Sequence, residues 1–169
     1  IKGPYLGLER EVAGLDQVIK SSGQNHVASM NAAKKAAVDW EKQHGDSAAS
    51  FISTVRQMSA ANLKDVEAIR ASRYALTLAK GTMSDTSTAV EILTYSYQTL
   101  GDKNKSVTSE MKKHADMTAK VQQIYQMRGL AGYTDAMKDA LPAAAMFRQK
   151  YEEAAVAVGT LQRAGWAGG

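Results

Sequence analysis

Apolar residues recur at helical spacing along almost the whole chain. Tyr5, Leu8, Val12, Leu15 and Ile19 follow one another at +3, +4, +3 and +4, with Glu9, Arg10, Glu11 and Asp16 off the stripe, which predicts an amphipathic helix ended by Ser21-Ser22-Gly23. The stripe covers about two heptads, short of the three or four of a coiled coil. So narrow a stripe packs on a single partner, either another helix of the chain or a second copy. It is the candidate self-association seam. A second helix is predicted over about Asn25 to Gln43, with Val27, Met30, Ala37 and Val38 inward and Trp40 at the edge of the core. Gly45-Asp46-Ser47 reads as a stop followed by a cap, and a third helix over Ala48 to Met58 turns Phe51, Ile52 and Val55 inward.

Asn62 is the expected N-cap of a fourth helix, which has Asp65 and Glu67 in its first turn, Leu63, Val66, Ile69 and Leu76 as its apolar positions, and Gly81 as its close. Ser84-Asp85 caps a fifth, with the stripe Val90, Leu93, Tyr97, Leu100 and Gly101 at its end. After the polar loop from Asp102 to Ser106, a sixth helix is expected over Val107 to Met127, with Met117, Val121 and Ile124 inward, Met111 and Tyr125 nearby, and Gly129 as its cap. The remainder, Tyr133 to Gly169, reads as a short helix, a break at Pro142 and a final small-residue helix. Proline suits the first position of a helix, where its missing N–H costs nothing. Phe147, Tyr151, Ala154, Val158 and Leu161 then form one face, and Gly165 falls where a left-handed C-terminal cap belongs.

No run of β-branched residues alternates between turns, so no strand is predicted. Glycines at 23, 45, 81, 101, 129 and 165 each close a helix, but no fixed residue pattern recurs between them. The fold class is therefore all-α: an irregular multi-helix bundle or helix-pair array of about seven or eight helices.

Composition sharpens this in three ways. The chain holds only two Phe and two Trp against eight Met, and with its many alanines this implies a core of closely approaching helices. No apolar run approaches the ~18–20 residues of a membrane span. With no cysteine, disulfides, thiolate metal sites and cysteine nucleophiles are excluded. The net charge of +4 is spread evenly: 11 Lys+Arg face 9 Asp+Glu up to residue 85, and 10 face 8 beyond it. That even spread is unlike the concentrated basic face of a nucleic-acid binder and points to solvated helix surfaces. No sequence-specific nucleic-acid contact is expected. Tyr95, Tyr97 and Tyr125 read as core or interface residues rather than stacking platforms.

Candidate chemistry is sparse. His26, His44 and His114 lie at no metal-ligand spacing, and Glu110 and His114 merely share a helix face. Neither a metal nor a cofactor is expected. Glu152 and Glu153 point about 100° apart on a helix, poor placement for an acid–base pair. Of the carboxylates, Glu152 or Glu67 would be the candidate in a helical cell-wall hydrolase, the least favoured reading. There is no nucleophile elbow and no phosphate loop. The chain is read as a non-enzyme.

The order of residues near the end carries a resemblance. Leu141-Pro142, Ala143 to Ala145, Glu152 to Ala155 and the run Leu161-Gln162-Arg163-Ala164-Gly165 resemble the core segment of long-tailed bacteriophage (or prophage) tail tape-measure proteins. Ala89-Val90, Leu93 and Leu100-Gly101 fit the same pattern. The sequence departs from the family where a glycine commonly precedes the last helix, since Arg148-Gln149-Lys150 stands there. Residues 61–169 carry the likeness, while residues 1–60 read as N-terminal helices for packing or oligomerisation. The start at Ile1 and the end at Gly168-Gly169, where the family pattern runs on, read as a piece of a longer chain.

The resemblance implies a structural protein of the virion tail that lies in the tail-tube lumen after assembly in the host cytoplasm. It would act in tail-length determination and tail-tube assembly and be released during DNA ejection. Implied partners are further copies (a trimer or hexamer), tail-tube and tail-tip proteins, and tail assembly chaperones. The alternative is a helical protein–protein interaction module, an adaptor or effector fragment, in which the Tyr5–Ile19 stripe would be a partner groove.

Overall fold

A computed structural model describes residues 3–21 and 26–165; the side chains of residues 3–6, 21, 26 and 65 lie outside that description. Eight α-helices and no strand make up the described residues: α1 Gly3–Ser21, α2 His26–His44, α3 Ala48–Ala60, α4 Asp65–Gly81, α5 Thr86–Leu100, α6 Val107–Ile124, α7 Ala131–Met146 and α8 Tyr151–Arg163. The all-α expectation holds. The chain forms two compact units, Ile1–Arg73 and Tyr74–Gly169, whose boundary falls inside α4.

In the first unit α1 and α2 both pack on α3 and on each other. Leu15 and Ile19 from α1, and Phe51, Ile52, Val55 and Met58 from α3, are fully enclosed. Trp40 belongs to this core rather than to its edge. Its ring centroid lies 5.7 Å from that of Phe51, and its indole N–H donates to Asp46 Oδ2 at 3.0 Å, so the one polar atom of the ring is satisfied inside. Ser47 is the cap of α3, its hydroxyl accepting from the Ser50 N–H. Val27, 66% exposed, and Val38 face outward, as does Val66 on α4. The inward row of α2 is Met30, Ala33, Ala36–Ala37 and Trp40, one position round from the row that the valines suggest.

In the second unit α5 flanks α6 and α7, and α8 flanks the same two. The four helices thus close a ring in the order α5, α6, α8, α7. Its interior holds Ile92 and Leu93 from α5, Met111 and Val121 from α6, Met137 and Leu141 from α7, and Ala155 and Val158 from α8, with Leu130 just ahead of α7. Ile124 and Leu161 are substantially exposed. Phe147, 77% exposed, lies in the turn after α7 and not on α8. On α5 the inward row runs through Ala89, Ile92, Leu93 and Ser96, while Tyr97 and Leu100 are only half-buried.

Pro142 does not start a helix; it lies inside α7. A proline there leaves the carbonyl four residues back without its N–H donor. That carbonyl belongs to Lys138, and the Tyr95 hydroxyl from α5 donates to it at 3.3 Å. Lys138 also pairs with Glu91 of α5. The neighbouring helix thus supplies the donor that the proline removed. Tyr95→Phe is expected to cost about 0.5–1 kcal/mol, whereas Pro142→Ala, which restores the backbone donor, should stabilise by about 1–2 kcal/mol. In the Pro142→Ala background the Tyr95→Phe cost should vanish. Urea unfolding of the four variants checks the cycle.

Four helices end on the same device without a glycine. Asn62, Met83, Gln126 and Arg148 all take positive φ. In each case that residue's N–H reaches back three residues and the next N–H five: Leu63 to Met58, Ser84 to Ala79, Met127 to Gln122 and Gln149 to Ala144, all at 2.8–3.1 Å. Such left-handed closes satisfy the last carbonyls of a helix. Asn62 therefore ends α3 instead of capping α4. Met83 and Gln126 perform the closes that Gly81 and Gly129 were expected to make, and α6 stops at Ile124. Arg148 takes the left-handed turn at the place where the tape-measure pattern has a glycine. Gly165 is left-handed as expected.

Candidate functional site

Of the stripe residues, the Tyr5 side chain lies outside the described residues, Leu8 and Val12 are half-buried, and Leu15 and Ile19 are buried within the first unit. Gly14 beside them lets Arg56 of α3 lie across α1, since a Cβ there would sit 2.4 Å from Arg56 Nη1. Arg56 in turn pairs with Glu11 at 3.3 Å.

The densest chemistry is a buried polar node at the centre of the second unit, built on polar residues that occupy inward helix positions. His114 of α6 is 3% exposed. Its Nδ1 lies 2.9 Å from the Ser96 hydroxyl of α5, and its ring stacks on Tyr151 of α8 at 4.3 Å. The Tyr151 hydroxyl shares hydrogen bonds with Thr118 at 2.5 Å and Tyr133 at 2.7 Å, and Thr118 also donates to the His114 carbonyl at 2.7 Å. One residue from each helix of the ring (Ser96, His114, Tyr133, Tyr151) therefore joins a single network. Glu110, also buried, accepts the Asp102 N–H at 3.0 Å and so ties the α5–α6 loop to the node.

Burial sets the electrostatics. It pushes the His114 imidazole down to about 4; Glu110 acts against that shift, and Lys113 and Lys103 reinforce it. Burial likewise pushes Tyr151 up to about 12, although its hydrogen bonds to Thr118 and Tyr133 act the other way. Tyr133 is raised well above the ordinary tyrosine range, by burial first and then by Tyr151. At neutral pH the imidazole and both phenols of the node are uncharged.

A cleft of about 430 Å³ is lined by Glu110, His114 and Tyr151, with Lys113, Arg148 and Glu152 among the others around it. Ser96, His114 and Glu110 have the residue types of a hydrolytic triad, but Ser96 is fully enclosed, so no substrate carbonyl reaches its oxygen, and the arrangement holds helices together. Glu152 pairs with Lys113 at 3.4 Å, and Glu67 lies exposed on α4 in the other unit. Among the described residues no three His, Asp or Glu side chains converge as metal ligands, and no helix is long and apolar enough to cross a membrane. The one hint of the node in the sequence is the i, i+4 spacing of Glu110 and His114. Ser96, Thr118 and Tyr133 carry no signal of their own, because polar residues at inward positions count against a core face.

The family model for phage-related minor tail proteins matches residues 18–169. The chain belongs to that family. It is a phage tail protein, with a tail structural role and a place in the virion tail. The match starts well ahead of residue 61, so all of α2 and α3, where the residues alone show little likeness, lies in the matched region too. No curated protein and no solved structure is detectably similar to the chain. Within this tail protein the node lies entirely inside the matched region, as does the Pro142 bridge.

Proposed function

We propose that the chain is a segment of a tail tape-measure protein, lying in the tail-tube lumen, where its length sets tail length, and leaving during DNA ejection. The observation that carries this reading is the run from Leu141-Pro142 to Leu161–Gly165 within a family match that extends over residues 18–169. In this reading residues 1–60 serve packing or oligomerisation and residues 61–169 are the core. Among the described side chains of the Tyr5–Ile19 stripe, Leu8 and Val12, which the first unit leaves half-open, are those available to a further copy, in a trimer or hexamer. Tail-tube and tail-tip proteins and assembly chaperones are the other partners. The chain has no catalytic role.

The test is a ruler experiment in the phage that carries the gene. An in-frame deletion of about 60 residues should shorten the tail by about 90 Å, and a duplication of the same segment should lengthen it equally, at a helical rise of about 1.5 Å per residue. Electron microscopy of negatively stained virions reads both. Virions with tails of unchanged length would sink the ruler and leave a structural tail role without it.

A further inference from the structure

We propose that His114 is an acid-sensitive latch whose protonation opens the α5–α6–α8 junction of the second unit while the first unit stays folded. The geometry carries this. The imidazole is enclosed by three helices, held by Ser96 from α5, by Tyr151 from α8 and by its own helix. Its second nitrogen, Nε2, lies 4.0 Å from Glu110 Oε2, beyond hydrogen-bond reach, and that oxygen already accepts the Asp102 N–H. The imidazolium carries an N–H on both nitrogens, and its Nε2–H has no acceptor within hydrogen-bond distance. To pair with the imidazolium, the Glu110 carboxylate must shift toward Nε2, which pulls on its bond to the Asp102 N–H in the α5–α6 loop.

The charges facing the site do not offset the burial. Lys103 in the α5–α6 loop and Lys113 on α6 disfavour the cation, and Glu110 on α6 and Glu152 on α8 favour it. Arg148 and Lys150 of the α7–α8 turn and Lys105 and Asp102 of the α5–α6 loop line the same cleft. From α5 only the neutral Ser96 reaches the ring, and α7 contributes Tyr133 through Tyr151. Among the described residues His114 is the one buried histidine, and the described histidine of the first unit, His44, is exposed.

The direction follows from linkage. The folded imidazole titrates near 4 and a solvated one near 6.5. The open state therefore takes up the proton first as pH falls, and stability present above about 6.5 is lost between there and about 4. From pH 7 to pH 5, still above the ordinary carboxylate range, the closed-to-open ratio of the junction should fall about twentyfold.

Hydrogen exchange read by mass spectrometry on the whole chain tests this, with rates corrected for their intrinsic pH dependence. Between pH 7 and 5, protection in α5, α6 and α8 should fall about twentyfold in the native chain and stay constant in His114→Gln, with α1–α3 unchanged in both. Equal losses in native chain and variant, or a loss spread over both units, would overturn the latch. If His114→Gln does not fold, the imidazole titration of the native chain by NMR decides: a midpoint far below 6.5 supports the latch, and one at or above 6.5 rejects it. The latch does not depend on which tail component the chain is.

Discussion

Tyr151→Ala is expected to lower the stability of the second unit by about 4–5 kcal/mol, a large share of the roughly 5–15 kcal/mol of an ordinary domain. Two effects add. The ring is buried and stacks on His114, and removing a buried aromatic side chain costs about 3–5 kcal/mol. The hydroxyl is shared by Thr118 and Tyr133. Without it Thr118 keeps its bond to the His114 carbonyl, but Tyr133 is left buried without a partner. Tyr151→Phe isolates this second effect and should cost about 1–2 kcal/mol. Urea unfolding followed by far-UV circular dichroism gives both values. A Tyr151→Ala loss below about 1 kcal/mol would mean that the node does not hold the four-helix ring together.

The second large effect is at Gly159. A Cβ there would lie 2.6 Å from Val121 Cγ1 and 2.8 Å from Tyr125 Cδ2. Both atoms belong to side chains that pack from α6 or its end, and Val121 is buried. Gly159→Leu is expected to cost about 3 kcal/mol or more by forcing α8 away from α6. The melting temperature of the second unit should drop by more than about 10 °C, at about 4–8 °C per kcal/mol for a unit of this size. Gly159→Ala is the subtler case: alanine gains about 1 kcal/mol of helix propensity over glycine, and the overlap outweighs it. Val121→Ala removes the closer of the two overlaps and should partly rescue Gly159→Ala, giving a favourable coupling energy in a double-mutant cycle. Independent, additive losses would show that the approach of the two helices does not depend on the missing side chain.

The node and the close approach at Gly159 make the second unit both well determined and easily broken. Its buried hydroxyl and imidazole groups find partners within their own helix or across to a neighbouring one. Thr134 is the exception, buried in the first turn of α7 with its hydroxyl unpartnered; nothing in the structure accounts for it.

The sequence by itself determined the helices, because apolar spacing near 3.6 residues and the polar breaks between stripes are local signals. Helix ends at Ser21, His44, Leu100 and Arg163 fall within a residue or two of the expected positions. The residues Leu141-Pro142 to Gly165 were also enough to point to a phage tail. Three things were decided only by tertiary structure. The first is which row of each helix turns inward. Val27, Val38, Val66 and Ile124 were plausible core residues and lie outside, since periodicity defines a face but neighbours choose between adjacent rows. The second is the fate of Pro142, which reads locally as a helix start. It sits inside α7 because Tyr95, 43 positions from Lys138 in the chain, donates to the carbonyl it orphans. The third is the polar node. Ser96, His114, Thr118, Tyr133 and Tyr151 are unremarkable polar and aromatic positions until four helices bring them together, and only their joint burial makes a neutral histidine and a shared tyrosine hydroxyl into what holds the unit closed.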